Sequence, residues 1–371
     1  LGEALVIAAV RKRIDEFWGR GSAAVTVPPM DGALTPNSVL DQAVVVLAVE
    51  APDNLVESGG ALFFSSRAGV CVLRGEAGAF SSELVEASNA PIASMAGDAS
   101  GAIAIARQGT LAIRGGRHDG KSFTQVGNSP LLCPTALVFD GPDSIIICLG
   151  SAANPAYEWK RDLLELNASG SVWRLDLDSG AGVELAQALA WPSGVVKEPA
   201  GAFLISESWR HRILRVNART PVQPMLQHLP GYPSRIVTAS DGGYWLSVFA
   251  PRRQMVEFVL REKAYRERMM REVHPDFWMA PALNSGRSFL EPIQGGQVKH
   301  LGISKPWAPT RSYGLIIRLD RSGLPIASFH SRADGRLHGI TSCLENSGRL
   351  LATSKGGDVI LDVDLRELEG A

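Results

Sequence analysis

One unit recurs along the chain: a turn carrying proline or glycine, a short apolar strand, a Gly-containing hairpin and a second strand. Copies begin at Ala51 (APDNLVESGGALFFSS), Ala90 (APIASMAGDASGAIAIA), Cys133 (CPTALVFDGPDSIIICLGSA), Trp191 (WPSGVVKEPAGAFLISES), Tyr232 (YPSRIVTASDGGYWLSVF) and His338 (HGITSCLENSGRLLATS). Most are separated by roughly 40–60 residues, the spacing of four-stranded propeller blades. A single unit of this size cannot bury both faces of its sheet, so six of them predict an all-β, six-bladed β-propeller. A β-sandwich is the competing reading, but it does not require matched units at regular spacing.

The period is broken once. Residues 255–273 (MVEFVLREKAYRERMMREV) space Met255, Phe258, Val259, Met269, Met270 and Val273 as one amphipathic helix, with charges between them. A Pro- and aromatic-rich stretch with Phe277, Trp278 and Trp307 follows, to about residue 312. An irregular segment this long inside a compact domain is usually functional. Placed between the fifth and sixth repeats, it reads as a lid over one mouth of the propeller.

Residues 1–43 precede the first repeat. LVIAAV followed by RKR reads either as the last turns of a membrane helix with a basic flank or as an amphipathic helix through Trp18. The apolar run is far shorter than the roughly 20 residues of a span. No complete signal peptide is visible. Residues 19–43 read as an extended arm, leaving residues 44–371 for the propeller. The expected location is cytoplasmic, or membrane-associated through a membrane domain upstream of Leu1.

Charge is balanced, with 37 Lys and Arg against 38 Asp and Glu, which gives no electrostatic reason for a nucleic-acid partner. The four cysteines (Cys71, Cys133, Cys148, Cys343) have no metal-ligand spacing and lie mostly in apolar runs, as buried free thiols do. No Walker, dinucleotide or GxSxG motif is present.

The stretches WPSGVVKEPAGAFLISESWRHRILRV, LPGYPSRIVTASDGGYWLSVF, GITSCLENSGRLLATS and NASGSVWRLDLDSG resemble the strictosidine synthase-like branch of six-bladed propellers. That superfamily includes the SMP-30/gluconolactonase proteins and paraoxonase-type lactonases. The resemblance covers residues 50–365. It implies that the residue after each turn proline faces the central channel, where hydrolase relatives hold calcium with carboxylates and asparagines. Here those positions carry Asp53, Thr135, Ser193 and Ser234, with Arg235 where a further asparagine is common. A hard cation needs several oxygen ligands, some anionic, and a guanidinium opposes it. The expectation is therefore no cofactor and no metal, with calcium disfavoured; Glu57 is the one acid that could rescue a site. The condensing chemistry of the plant namesake needs a glutamate where this chain has Ile340 or Thr341, and Glu345 lies further along, so Pictet–Spengler condensation is disfavoured.

The candidate catalytic residues are His338, Glu207 and Asp53, and the candidate ligand-binding residues are Arg235, Ser234, Ser193, Thr135, Thr341 and Tyr232. Arg235 is expected to enter the channel, pair with Asp53 and hydrogen-bond Ser193. Trp191, Trp209, Tyr232 and Trp245 read mainly as blade-packing aromatics. Two functions stay open. One is a lactone or ester hydrolase with an altered, metal-free site. The other is a non-catalytic domain that binds or senses a small, anionic ligand, attached to a membrane transport protein.

Overall fold

In a computed structural model the chain forms six four-stranded antiparallel blades around a central axis. The structure describes residues 27–75, 80–292, 299–300, 303–304 and 311–368. The helix expected through Trp18 and the aromatic Trp307 lie outside those residues.

The innermost strands are Asp53–Ser58, Ile92–Gly97, Pro134–Phe139, Pro192–Lys197, Gly231–Thr238 and Ile340–Asn346, one for each sequence copy. They are largely buried, whereas the outermost strand of the first blade, Ser81–Ala87, is exposed almost throughout. Apolar side chains between neighbouring sheets make the core, as where Leu204 and Ile213 of the fourth blade pack with Leu246 and Ile317 of the fifth. Burial of this area is the main stabilising term. All four cysteines are buried free thiols inside these layers.

The ring closes through Val44–Ala48, which pairs antiparallel with Val359–Asp364 and supplies the fourth strand of the sixth blade. Before it, the arm lies along the fifth blade. Asn37 Nδ2 donates to the Ser328 carbonyl at 2.7 Å, its Oδ1 accepts from His330 N at 3.1 Å, and Leu40 is fully buried.

Two expectations about the interruption are corrected. It lies inside the fifth blade, between Tyr244–Pro251 and Gly314–Leu319, and not between the fifth and sixth repeats. It also opens with two helices, Gln254–Arg261 and Lys263–Glu272, broken at Glu262 (ψ 77°). The single-helix reading fails because the apolar positions of the two halves fall out of phase: Val256 and Val259 are buried in the first, Met269 in the second. No described helix is long and apolar enough to cross a membrane.

Candidate functional site

All six innermost strands share a local irregularity. The pairing register shifts between Asp53 and Val56, Ile92 and Ser94, Pro134 and Ala136, Pro192 and Gly194, Pro233 and Ile236, and Ile340 and Ser342. Each shift is a bulge immediately after the entry turn. A bulged residue leaves the ladder and its side chain is re-aimed. The residues skipped by the pairing are Asn54 and Leu55, Ala93, Thr135, Ser193, Ser234 and Arg235, and Thr341. Six bulges around one axis bring together residues far apart in sequence.

Of these, Ala93, Thr135, Ser193, Ser234, Arg235 and Thr341 face a cavity of about 370 Å³ that Asp53 and Lys355 also line, with Trp159, Trp191, Phe249, Ile92 and Leu283 among its apolar walls. A second cavity of about 240 Å³ lies beyond, and Arg235 lines both, standing at the waist of the channel. Glu57 is exposed and lines only the second cavity, apart from Asp53.

Arg235 enters the channel as expected. Its Nη1 stands 3.3 Å from Asp53 Oδ1, while Nη2 donates to Asn54 Oδ1 and to the Ala93 carbonyl, the latter at 2.9 Å. Gly194 makes room for this bulge: a Cβ there would lie 2.3 Å from the Ser234 carbonyl oxygen and 2.9 Å from the Arg235 Cα. The expected bond from Arg235 to Ser193 is not formed. Ser193 Oγ instead donates to the Pro233 carbonyl at 2.9 Å and bonds Ser208 Oγ at 2.6 Å.

The other axial hydroxyls are engaged in the same way. Thr135 Oγ1 donates to the Pro192 carbonyl and Ser234 Oγ to the Thr341 carbonyl at 2.9 Å, while Ser94 Oγ donates to the Pro134 carbonyl at 2.8 Å. Each bond runs from one blade to the next. Thr135, Ser193 and Ser234 line the cavity, yet their hydroxyl protons hold the ring together.

Sequence reasoning missed Lys355. Its Nζ lies 2.9 Å from Asp53 Oδ2, so two cations share one carboxylate. Burial by itself would raise the Asp53 pKa. The charges of Arg235 and Lys355 overcome that and hold it down at about 2, helped by the Lys355 and Asn54 hydrogen bonds. Lys355 was findable. It follows the second strand of the last blade, and in an antiparallel blade that end lies beside the entry to the first strand. The same rule brings Phe249 to the rim at the end of the second strand of the fifth blade, and Trp159 and Leu283 from the connections after the second strands of the third and fifth blades. The interruption thus contributes Leu283 to the cavity wall.

Three candidates lie elsewhere. Glu207 is fully buried and accepts from Ala190 N at 2.7 Å, from Arg210 Nη1 at 2.7 Å and from Arg212 Nε, tying a turn of the fourth blade. His338 is buried, with Nε2 2.7 Å from the Arg332 carbonyl and Nδ1 2.8 Å from Ser312 Oγ. Donation to the carbonyl makes it the Nε2–H tautomer, and burial lowers its pKa, so the ring is a neutral structural histidine. Tyr232 is fully buried against Trp209, His211 and Phe249, outside the cavity wall. In all three the side chain follows the local strand and turn instead of the bulge. Trp191 stacks on Trp209 at 5.1 Å and also lines the cavity, and Trp245 packs on Phe329.

No family model and no curated protein matches this sequence. Solved structures do match in fold. A gluconolactonase of glucose secondary metabolism from Xanthomonas campestris is 14% identical, with 85% of this chain and 86% of that one covered and a TM-score of 0.52. An X-ray structure provisionally described as a gluconolactonase is 13% identical, covers 87% of this chain and 91% of its own, and also has a TM-score of 0.52. This chain is a six-bladed β-propeller similar in fold to these gluconolactonase structures, and at such identity the likeness extends to the fold alone.

Proposed function

We propose that the axial cavity binds a small organic molecule bearing a carboxylate or a polarised carbonyl, in a metal-free site. One observation carries this reading: Arg235 and Lys355 converge on a single acid, Asp53, so the cavity floor holds an excess positive charge. Lys355 has ammonium protons beyond the one it gives Asp53. The walls at Trp159, Trp191, Phe249 and Leu283 suit an apolar or ring-shaped body.

The donor set does not fit a divalent cation. Both oxygens of Asp53 are taken by Arg235 and Lys355, which leaves only the neutral hydroxyl oxygens of Thr135, Ser193 and Ser234 and no free anionic ligand. A hard cation would also meet two positive side chains at contact range.

Hydrolysis of a lactone or ester is the second reading, supported by similarity in fold to structures described as gluconolactonases. In it Arg235 and Lys355 would stabilise the negative charge developing on a carbonyl oxygen. Asp53, held at about 2, is a weak base for activating water.

The test titrates gluconate and glucono-1,5-lactone against the protein, following fluorescence of the wall tryptophans and lactone hydrolysis. Binding of gluconate that weakens at least tenfold in Lys355→Met is expected. Hydrolysis above the spontaneous rate, lost in Lys355→Met and Arg235→Met, would establish the second reading. Affinity and rate unaffected by either substitution would refute both.

A further inference from the structure

The side chains around the axial cavity divide by blade. The charges belong to the seam between the sixth and first blades, where Lys355 and Asp53 meet at 2.9 Å and Arg235 reaches over from the fifth. Trp159 and Trp191, on the third and fourth blades, stand across the axis from that seam. Phe249 of the fifth blade continues the same wall, and Tyr157 adds an exposed ring beside it.

This wall is held from behind. Trp191 stacks on Trp209 at 5.1 Å with 24° between the rings, and Trp209 Nε1 donates to Asp162 Oδ1 at 2.8 Å. Asp162 is fully buried and also accepts from Asn154 Nδ2 at 3.1 Å. Trp159 meets the Phe249 ring edge-on at 5.4 Å, and Leu260 of the fifth-blade interruption packs into the same cluster. Rings fixed before a ligand arrives lose little freedom on binding, so the wall offers ring surface at low entropic cost.

The polar lining suits a ligand rich in hydroxyls poorly. Each hydroxyl brings one proton to donate and two lone pairs to satisfy. Thr135, Ser193 and Ser234 spend their own protons on carbonyls of the next blade, so towards a ligand they can only accept. Among the uncharged hydroxyl and amide side chains of the lining, those left to donate are Gln108 and Tyr157, both exposed, and Thr341, whose Oγ1 already bonds Thr353 Oγ1 at 3.2 Å. Hydroxyls laid against the aromatic wall would be desolvated without partners. An aryl group loses nothing there and gains ring–ring contact.

Given the cavity reading above, on which this rests, we infer that the axial ligand is an aryl carboxylic acid and not a sugar acid. Its ring lies against Trp159, Trp191 and Phe249, and its carboxylate faces Lys355.

The test titrates the whole chain by calorimetry with phenylacetate, cyclohexylacetate, gluconate and 2-phenylacetamide. Phenylacetate should bind about tenfold or more tightly than gluconate and 2-phenylacetamide. It should exceed cyclohexylacetate, which has the same outline without the aromatic face, by about threefold or more. Lys355→Met should weaken phenylacetate about tenfold or more. Trp159→Leu should bring phenylacetate level with cyclohexylacetate while gluconate changes by less than about twofold. Should that variant not fold, the wild-type order of affinities decides alone. Gluconate, cyclohexylacetate or 2-phenylacetamide binding as tightly as phenylacetate overturns the aryl-acid assignment and leaves the cavity reading standing. Phenylacetate affinity unmoved by Lys355→Met overturns it, because the acid would then be held elsewhere. A preference for phenylacetate undiminished in Trp159→Leu overturns it as well. If neither phenylacetate nor gluconate binds, the cavity reading itself fails, and the aryl acid with it.

Discussion

Lys355 Nζ donates to Asp53 Oδ2 at 2.9 Å across the seam where the last blade meets the first. On the other side of the same carboxylate stands Arg235, from the fifth blade. The acid is thus clamped by two cations that reach it from different blades, and this clamp shapes most of what the cavity can do.

Removing Arg235 should cost stability without exposing a bare charge. Arg235→Ala leaves Asp53 its Lys355 partner but strips a donor from Asn54 Oδ1 and the Ala93 carbonyl. The expected loss is roughly 2–4 kcal/mol. Arg235→Ala with Lys355→Ala should lose more than the sum of the single changes, since only then is Asp53 unpaired. Chemical denaturation of the three variants measures this; strict additivity would mean the clamp is not coupled.

Acid should weaken the clamp. The Asp53 pKa falls from an ordinary 3.8 to about 2 on folding, so the folded state binds fewer protons than the unfolded chain at intermediate pH. Stability therefore rises with pH through this window. The contribution of about 2 kcal/mol is present above about pH 4 and disappears as pH falls through about 2. Glu257, held at about 2 by His211 and Arg252 against its burial, adds to the same slope. Asp53→Asn should flatten the stability–pH curve between pH 5 and pH 2, by roughly the Asp53 share. An unchanged curve would show that the carboxyl is not depressed.

Calcium should have no grip on this channel. Purified protein is expected to carry well under one equivalent, and neither added calcium nor a chelator should move the Tm. One full equivalent, with a Tm that falls on chelation, would contradict the metal-free reading.

Glu207 and His338 should affect stability and not ligand affinity. Glu207→Ala takes the acceptor from the buried Ala190 N–H and from the partly exposed Arg212, and leaves the exposed Arg210 only the Ala188 carbonyl, at a cost of about 1–3 kcal/mol. His338→Ala removes bonds to Ser312 and the Arg332 carbonyl, at a cost of about 1–3 kcal/mol. Affinity for an axial ligand should stay within about twofold in whatever protein folds. A selective loss of affinity at unchanged stability would return either residue to the site.

What the amino-acid order determined by itself was the ring. Repeated turn–strand–hairpin units are a local property, and units that cannot bury both faces alone must stack, so six copies specified six blades. The axial set Asp53, Thr135, Ser193, Ser234 and Arg235 was legible for the same reason, since each follows the same turn in its own copy. Only the tertiary structure decided which of these side chains are spoken for. The hydroxyls of Thr135, Ser193 and Ser234 bond carbonyls of the next blade, a distance that no single repeat encodes. Lys355 and Asp53 are 302 residues apart and meet only because the ring closes. Glu207 and Tyr232 sit close in sequence to axial residues, yet turn away from the axis, because a side chain's direction is set by pleat and bulge and not by its proximity to a motif.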